Sequence, residues 1–370
     1  MKFSNAAKRN IPLICILLAC ILLLLSCSDE IPGEDTATQV TKETDNTEDT
    51  TGNITDTQPN AAEDNNSVVV ISYNIAYYES SNEQFNLAYE GQSAEDYTIA
   101  KRSERLKSLV NHYKPDILML QEVNHIWWEY IISGEDSLLN TCNYLYEGNV
   151  SCFGNHDGRG NTDSELYNLV LYNRDRFERQ DGGSFWLSDT PEAPGTSGSA
   201  NLERLCTYVQ LKDNVTGASA VYTSTHLVTT GTSALGSKHL SQTRNLLKNI
   251  EQIAGDLPVI MCGDYNMSEN SKYASNSYSY IIKRQFLDAQ YSANERNAKG
   301  TVRSWGRQSS WQAQKAIDHC FYRNATAELY KVLYDTFDKD NNISDKISDV
   351  GKNYDLSDHL GLYIRFSFGN

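Results

Sequence analysis

Residues 258–266 read PVIMCGDYN, an apolar run that ends in Gly263, Asp264 and Asn266. The run has the length and composition of a buried β-strand, and its polar residues fall where that strand ends. An amphipathic stretch over 240–254 precedes it and predicts a helix. Helix, strand and polar turn in this order indicate an α/β fold that presents functional side chains at its strand ends.

The same pattern recurs at six other places along the chain. Short apolar runs lie beside Asn74, Glu122, Glu165, His226, Asp318 and the pair Asp358–His359. Taken singly, each acid is more often a helix cap or a turn residue than a catalytic one. A sheet that gathers several carboxylates at one edge suffers like-charge repulsion, which a divalent cation relieves. Because the predicted ligands are oxygens and not thiolates, they favour Mg²⁺, Mn²⁺ or Ca²⁺ over zinc.

Residues 1–26 have the features of a secretory signal peptide. Three basic residues precede the apolar run 11–25, which is about as long as a signal-peptide core and short for a membrane span. The run leads to Leu24-Leu25-Ser26-Cys27, which resembles the bacterial lipoprotein cleavage box. That resemblance implies cleavage before Cys27, acylation of its thiol and a lipid-anchored position in the cell envelope, outside the cytoplasm. Cys27-Ser28-Asp29-Glu30 also resembles the acidic surface-export signal of some Gram-negative lipoproteins. The alternative is an uncleaved anchor formed by 11–25.

Residues 27–66 predict a lipidated Cys27 followed by a disordered acidic linker. The linker holds eleven acidic side chains against Lys42 alone and almost no large apolar residue, so it cannot bury enough surface to offset the entropy of ordering. Of the net charge of −16, −9 remains for the predicted domain, 67–370. That moderate acidity argues against a protein that holds nucleic acid by bulk electrostatics. We expect a monomer that touches the membrane only through its lipid.

Five cysteines follow residue 66, so at least one of them is unpaired: Cys142, Cys152, Cys206, Cys262 and Cys320. No CxxC spacing suggests zinc. Cys142 and Cys152 flank a turn-rich stretch and are a candidate disulfide in an oxidising compartment. Cys262 and Cys320 lie within apolar runs, and we expect them to be small core residues.

The polar strand ends resemble those of the endonuclease/exonuclease/phosphatase superfamily, over essentially all of 67–370. The motifs that carry the resemblance follow the family's order: SYNIA (72–76), LQEV (120–123), STHL (224–227), GDYN (263–266), IDHCFY (317–322) and SDHLG (357–361). The segment FWLSDTP (185–191) is similar to an envelope-attached bacterial branch. The resemblance implies a four-layered α/β sandwich, with two mixed β-sheets packed face to face and helices on the outside, as in pancreatic deoxyribonuclease.

The resemblance also implies a metal site and a general base. Glu122 would be the main ligand of Mg²⁺, assisted by Asn74 and Asp358. His359 would take a proton from the attacking water, oriented by Asp318 through its other ring nitrogen. In the alternative, Asp318 only caps the strand before His319, and His319 carries the chemistry.

Four further residues would act on the water or the phosphoryl group. Asp264 and Asn266 would position either the attacking water or the phosphoryl group. Either His359 or Asp264 would remove the proton from the water. His226, paired with Glu165, would donate to a non-bridging oxygen.

Candidate substrate contacts are Arg204, Arg159 in a Gly-rich rim loop, and Trp305. The alternatives are a solvated turn residue at Arg159 and interior packing for Trp305. We expect Trp127 and Trp128 to pack in the interior rather than to bind substrate. A helix predicted over 100–113 carries four basic residues, which we expect to lie far from the strand ends: Lys101, Arg102, Arg105 and Lys107.

Together these features predict an envelope-anchored, metal-dependent phosphoester hydrolase, with a phosphodiesterase or endonuclease as the leading interpretation. Phospholipid headgroups, sphingomyelin and inositol-type sugar phosphates are the alternative substrates. A catalytically inactive binding lipoprotein is the alternative from another class.

Replacing Cys27 with Ser in the full-length protein should move it from the membrane to the soluble fraction, because the thiol that carries the lipid is gone. Fractionation and immunoblotting measure the change, with Cys20→Ser as a control inside the apolar run. A Cys27→Ser protein that stays in the membrane fraction would mean that 11–25 is an anchor.

Overall fold

Two mixed β-sheets form the centre of the computed structural model. It describes residues 66–78, 92–152, 165–193, 203–297, 300–303, 316–346, 349 and 352–369, with the backbone alone at 149–152 and 165. The strands in chain order are β1 (Val68–Asn74), β2 (Ile117–Asn124), β3 (Tyr144–Cys152), β4 (Glu165–Asn173), β5 (Phe177–Trp186), β6 (Leu205–Asp213), β7 (Ser219–His226), β8 (Val259–Asp264), β9 (Leu287–Asp288), β10 (Glu295–Asn297), β11 (Asp318–Arg323), β12 (Thr326–Leu333), β13 (Thr336–Phe337), β14 (Ile343–Ser344) and β15 (Gly361–Ser367).

The helices in chain order are α1 (Ile99–Tyr113), α2 (His125–Trp128), α3 (Leu138–Thr141), α4 (Ser233–Ala254), α5 (Ser275–Lys283) and α6 (Ala289–Ser292). The predicted helix over 100–113 is confirmed as α1, which the Thr98 side chain caps. The helix predicted over 240–254 begins seven residues earlier, at Ser233, with Thr232 as its cap. Its first turns bury the polar side chains of His239 and Gln242, so an apolar pattern could not reveal them.

The first sheet has seven strands in the order β10-β12-β15-β1-β2-β4-β3, and the second has six in the order β5-β6-β7-β8-β11-β9. In the first, β1 runs parallel to β2 and antiparallel to β15. In the second, β8 runs parallel to β7 and antiparallel to β11. Both sheets are therefore mixed, as predicted.

Three apolar layers hold the sandwich together. The central layer joins the two sheets and contains Val70 from β1 and Ile260 from β8. An outer layer packs α1, through Leu106, on the other face of the first sheet, where Ile71 lies. A second outer layer packs α4, through Leu246, on the second sheet. Neighbouring residues of β1 thus point to opposite faces and are both buried, which confirms the four-layered α/β sandwich.

The predicted Cys142–Cys152 disulfide is wrong. Cys142 is a free thiol, and β3 runs as an extended strand from Tyr144 to Cys152. Nine extended residues span roughly 25–30 Å, whereas a disulfide requires Cα atoms within about 7 Å. Cys262 and Cys320 are fully buried core residues, as predicted.

None of the helices within the described residues is long and apolar enough to cross a membrane. The apolar run 11–25, Cys27 and the linker to residue 65 lie outside the described residues.

Gly263 allows β7 and β8 to approach closely beside the strand ends. Its φ is +154°, and a Cβ atom there would lie 1.9 Å from the carbonyl oxygen of Thr225 on β7. Because Thr225 is the register partner of Gly263, any side chain would push the two strands apart.

Gly263→Ala should lower the free energy of unfolding by about 2–5 kcal/mol, from overpacking and an unfavourable φ. Urea titration of the full-length protein measures it. Gly231→Ala is the matched control, because a Cβ at Gly231 meets nothing within 4 Å. Equal unfolding midpoints for the two variants would contradict the steric argument.

Candidate active site

The sheet topology brings the polar strand ends to one edge of the sandwich. The parallel pair β1 and β2 carries Asn74 and Glu122 at its carboxyl end, and the parallel pair β7 and β8 carries His226 and Asp264. Strand β11 is antiparallel to β8 and begins with Asp318 directly opposite Asp264. Strand β15, antiparallel to β1, begins just after Asp358 and His359, so these two residues join the same edge.

His359 and Asp318 form a buried hydrogen-bonded pair. The Nδ1 atom of His359 lies 2.9 Å from Oδ2 and 3.2 Å from Oδ1 of Asp318. Burial favours the neutral ring, but the Asp318 carboxylate outweighs it and holds the pKa of His359 well above its usual value. The other ring nitrogen, Nε2, lies 3.8 Å from Oδ2 of Asp264, so it faces the acidic cluster.

Asp264 is almost completely buried and accepts hydrogen bonds on both oxygens. The backbone N–H of Asn266 donates to Oδ1 at 2.8 Å, and Nδ2 of Asn74 donates to Oδ2 at 3.0 Å. Burial, reinforced by the negative charge of Asp318, raises the pKa of Asp264 to about 7. Asn266 supplies its N–H from a left-handed backbone conformation with φ of +49°.

Glu122 leaves the regular strand ladder and turns toward the cluster. The pairing of β2 with β4 shifts register between Leu120 and Val123, and Glu122 has a φ of +62°. Its Oε1 accepts from Nδ2 of Asn74, and its Oε2 accepts from the backbone N–H of Tyr77, each at 3.0 Å.

The donor set fits a hard divalent cation. One potential ligand atom each from Glu122, His226 and Asp264 lies within 4.8 Å of the other two. Asp358 is half-buried, and its charge and that of Glu122 both act on Arg102. Carboxylates crowded in this way repel one another unless a cation neutralises them. The Oδ1 atom of Asn74 accepts from the N–H of Ala76, so Asn74 turns its amide N–H₂, not its oxygen, toward the carboxylates.

His226 lies among the same groups, in surroundings that disfavour its charged form. Burial, with Arg204 and His359 nearby, holds the pKa of its ring well below the usual value. Its Nε2 accepts from Nδ2 of Asn266 at 3.0 Å and lies 3.3 Å from Asp264. The side chain of Glu165 lies outside the described residues, so its pairing with His226 stays a prediction.

The predicted substrate residues have different outcomes. Arg204 is buried close enough to Glu122 and Asp264 for their charges to stabilise its cation. Arg159, Trp305 and the lipidation residue Cys27 lie outside the described residues.

His319, the residue after Asp318, points away from the cluster. Neighbouring residues of a strand face opposite sides, and His319 instead pairs with Asp288 at 3.0 Å and contacts the carbonyl oxygen of Met267 at 2.9 Å. The Asp318 carboxylate therefore pairs with His359 and not with His319.

The expectation that Arg102 lies far from the strand ends is wrong. Its guanidinium donates to the carbonyl oxygens of Ile75, Ala76 and Leu356, which flank the motifs of Asn74 and Asp358. The sequence shows a basic residue on an amphipathic helix, a pattern that usually indicates a solvated face. Trp127 is fully buried, as predicted, and its ring packs under Arg102.

Residues 71–359 match the Endonuclease/Exonuclease/phosphatase family. A member of that family from Bacteroides thetaiotaomicron is similar in structure, with 21% identity, a TM-score of 0.63, and coverage of 82% of this chain and 95% of that chain. The mannosyl-6-phosphatase of the same organism gives 21% identity, a TM-score of 0.62, and coverage of 81% and 100%. The human nocturnin catalytic domain with bound sulfate gives 16% identity, a TM-score of 0.54, and coverage of 82% of this chain and 94% of that chain.

No curated protein sequence gives a significant match. At these identities the structural neighbours show a shared fold, while the family match spans most of the chain, from the middle of β1 to His359. The chain therefore belongs to the endonuclease/exonuclease/phosphatase family.

Proposed function

We propose that the protein is a divalent-metal-dependent phosphoester hydrolase held in the cell envelope by a lipid on Cys27. The observation that carries the catalytic part is the His359–Asp318 pair, whose free ring nitrogen faces the Asp264 carboxylate at 3.8 Å. An oriented histidine beside clustered oxygen ligands can activate water next to a metal-bound phosphoryl group.

Glu122 and Asp358 would hold the metal, which we take to be Mg²⁺, with Mn²⁺ and Ca²⁺ as alternatives. Asn74 supports this site by donating to both Glu122 and Asp264, which fixes the spacing of the two carboxylates. When bound, the cation would neutralise charge that develops on a phosphoryl oxygen.

We assign proton removal to His359 rather than to Asp264. Asp318 fixes the ring through Nδ1 and leaves Nε2 to accept a proton from water. Both oxygens of Asp264 already accept hydrogen bonds, from Asn266 and Asn74, so Asp264 is better placed to keep those groups aligned.

His226 and Arg204 would bind the phosphoryl oxygens. A neutral His226 keeps one N–H to donate, and Arg204 brings a positive charge next to the acidic cluster. Such donors stabilise the charge of a phosphoryl transition state more than that of the ground state.

The described residues support a compact phosphoester better than a long nucleic acid. Nucleic-acid binding needs a row of basic side chains along the backbone phosphates. Among the described residues, Arg303 is buried and paired with Asp355 at 2.7 Å, and Arg102 is buried against the carbonyl oxygen of Ala76. Neither presents its charge along an exposed path, and Arg204 lies beside the cluster. The shared fold with a mannosyl-6-phosphatase is a reason to test sugar phosphates as well. A panel of sugar phosphates, plasmid DNA and phospholipid vesicles, compared by their kcat/KM values, would identify the substrate class.

The inactive binding lipoprotein is less consistent with this site. A protein that had lost catalysis would be expected to lack part of the set, yet Asn74, Glu122, His226, Asp264, Asn266, Asp318 and His359 all meet at one edge.

Glu122→Gln should lower kcat/KM on bis-p-nitrophenyl phosphate by about 100-fold or more, because a neutral amide is a poor ligand for Mg²⁺. The amide keeps one acceptor oxygen for Asn74 or Tyr77, and relief of carboxylate repulsion offsets the loss of the other hydrogen bond, so the thermal midpoint without metal should change little. Wild-type protein should gain thermal stability with Mg²⁺, and the variant should gain less. Glu178→Gln, an exposed acid on β5, is the control. Activity that survives Glu122→Gln, or that persists in excess EDTA, would refute the metal site.

Asp318→Asn should lower kcat by about 10²–10⁴-fold and move the acid limb of its pH profile to lower pH. Activity requires neutral His359, so it rises as pH passes through the raised pKa of that residue. Without the Asp318 charge, the pKa of His359 falls and the rise comes at lower pH.

Asp288→Asn is the matched control, since Asp288 holds His319 in a similar buried pair away from the cluster. Its acid limb should not move. A shift in Asp288→Asn together with an unmoved limb in Asp318→Asn would transfer the role of base to His319.

A further inference from the structure

Arg102 connects two segments that each carry part of the proposed metal site. It is fully buried on α1, and its side chain donates to the carbonyl oxygens of Ile75 and Ala76, the latter at 2.7 Å. Its Nε donates to the carbonyl oxygen of Leu356 at 2.9 Å. The first two acceptors follow Asn74, and the third lies two residues before Asp358.

The turn that Arg102 holds is strained. Ala76 has a φ of +53°, a left-handed conformation that costs energy for a residue with a Cβ atom. Its carbonyl oxygen accepts from Arg102 and, at 3.0 Å, from Nε1 of Trp127. The next residue, Tyr77, donates its N–H to Oε2 of Glu122. Arg102 and Trp127 thus hold the carbonyl oxygen of the Ala76–Tyr77 peptide group, and the N–H of the same group donates to Glu122, the predicted main ligand.

We propose that Arg102 is a positioning residue for the metal site, because it holds the left-handed turn at Ala76 in the shape that fixes Glu122 and ties that turn to the segment of Asp358. The inference rests on the proposed metal-dependent function. Arg102 acts through the carbonyl oxygens to which it donates, and its charge also lies close enough to Asp358 and Glu122 to interact with both.

The requirement for arginine follows from geometry. A guanidinium offers five donors in a fixed fork and can serve three carbonyl oxygens at once, whereas an ammonium on a flexible stem cannot reproduce that arrangement. Arg105, one turn later on α1, is also buried but donates to Asp96, Asn341 and the carbonyl oxygen of Asp355 instead. Replacing Arg105 therefore shows the effect of losing a buried arginine that does not contact the turn at Ala76, and it is the control for replacing Arg102.

The test compares full-length wild type with Arg102→Lys, Arg105→Lys, Ala76→Gly and the double variant Arg102→Lys/Ala76→Gly. One readout is the Kd for Mn²⁺ from calorimetry. The second is the hydrogen-exchange rate of the Tyr77 amide in metal-free protein, which does not depend on metal binding. Trp127→Phe, which removes the other donor to Ala76 and keeps a ring, replaces Arg102→Lys if the latter does not fold.

Arg102→Lys should raise the Kd for Mn²⁺ at least tenfold and speed exchange of the Tyr77 amide at least tenfold, whereas Arg105→Lys should leave that amide near wild type. Ala76→Gly removes the penalty of the left-handed turn, so in the Arg102→Lys background it should restore about fivefold of the lost affinity.

Equal Tyr77 exchange in the two lysine variants, or no recovery with Ala76→Gly, would reduce Arg102 to a core-packing residue and overturn the proposal. A wild type that binds no Mn²⁺ would refute the metal site instead, and the exchange rates would still decide whether Arg102 holds the turn.

Discussion

Repulsion between buried carboxylates is the constraint on which the rest of this site depends. The antiparallel register of β8 and β11 places Asp264 directly opposite Asp318, and both side chains are almost fully buried. Two such charges persist together only if positive or hydrogen-bonding groups surround them. Here His359 stands between them, Asn74 and Asn266 donate to Asp264, and Arg204 lies close by. In our account the proposed cation supplies the remaining positive charge beside Glu122.

The backbone around this cluster is adapted to the same requirement. Three residues other than glycine adopt left-handed conformations within the site, at Ala76, Glu122 and Asn266, and Gly263 admits the carbonyl of Thr225 at a distance that no side chain would allow. Such conformations persist only where the surrounding contacts impose them. Donors on helix α1 and along the first sheet thus fix the backbone of the site as well as the fold, which is the basis for the role that we propose for Arg102.

Much of the fold and site could be predicted because strand ends are marked in the sequence. Asn74, Glu122, His226 and Asp264 each follow an apolar run, and parallel pairing brings such ends together. The partner of Asp318 could not be derived from local sequence, because His319 and His359 each follow an aspartate and only the fold shows which ring meets the Asp318 carboxylate. Arg102 was missed because helical periodicity gives the buried face of α1 but not the carbonyl oxygens that approach it. The disulfide prediction failed because a turn-rich composition hid the extended strand β3.

The most direct measurement is anomalous diffraction from crystals of the protein grown with Mn²⁺. Our account predicts an anomalous peak within coordination distance of the Glu122 carboxylate, on the side of the cluster that Asp264 and Asp358 share. A well-occupied Mn²⁺ ion elsewhere in the molecule, with no peak beside Glu122 at saturating Mn²⁺, would contradict the claim that these carboxylates are gathered to hold a catalytic cation.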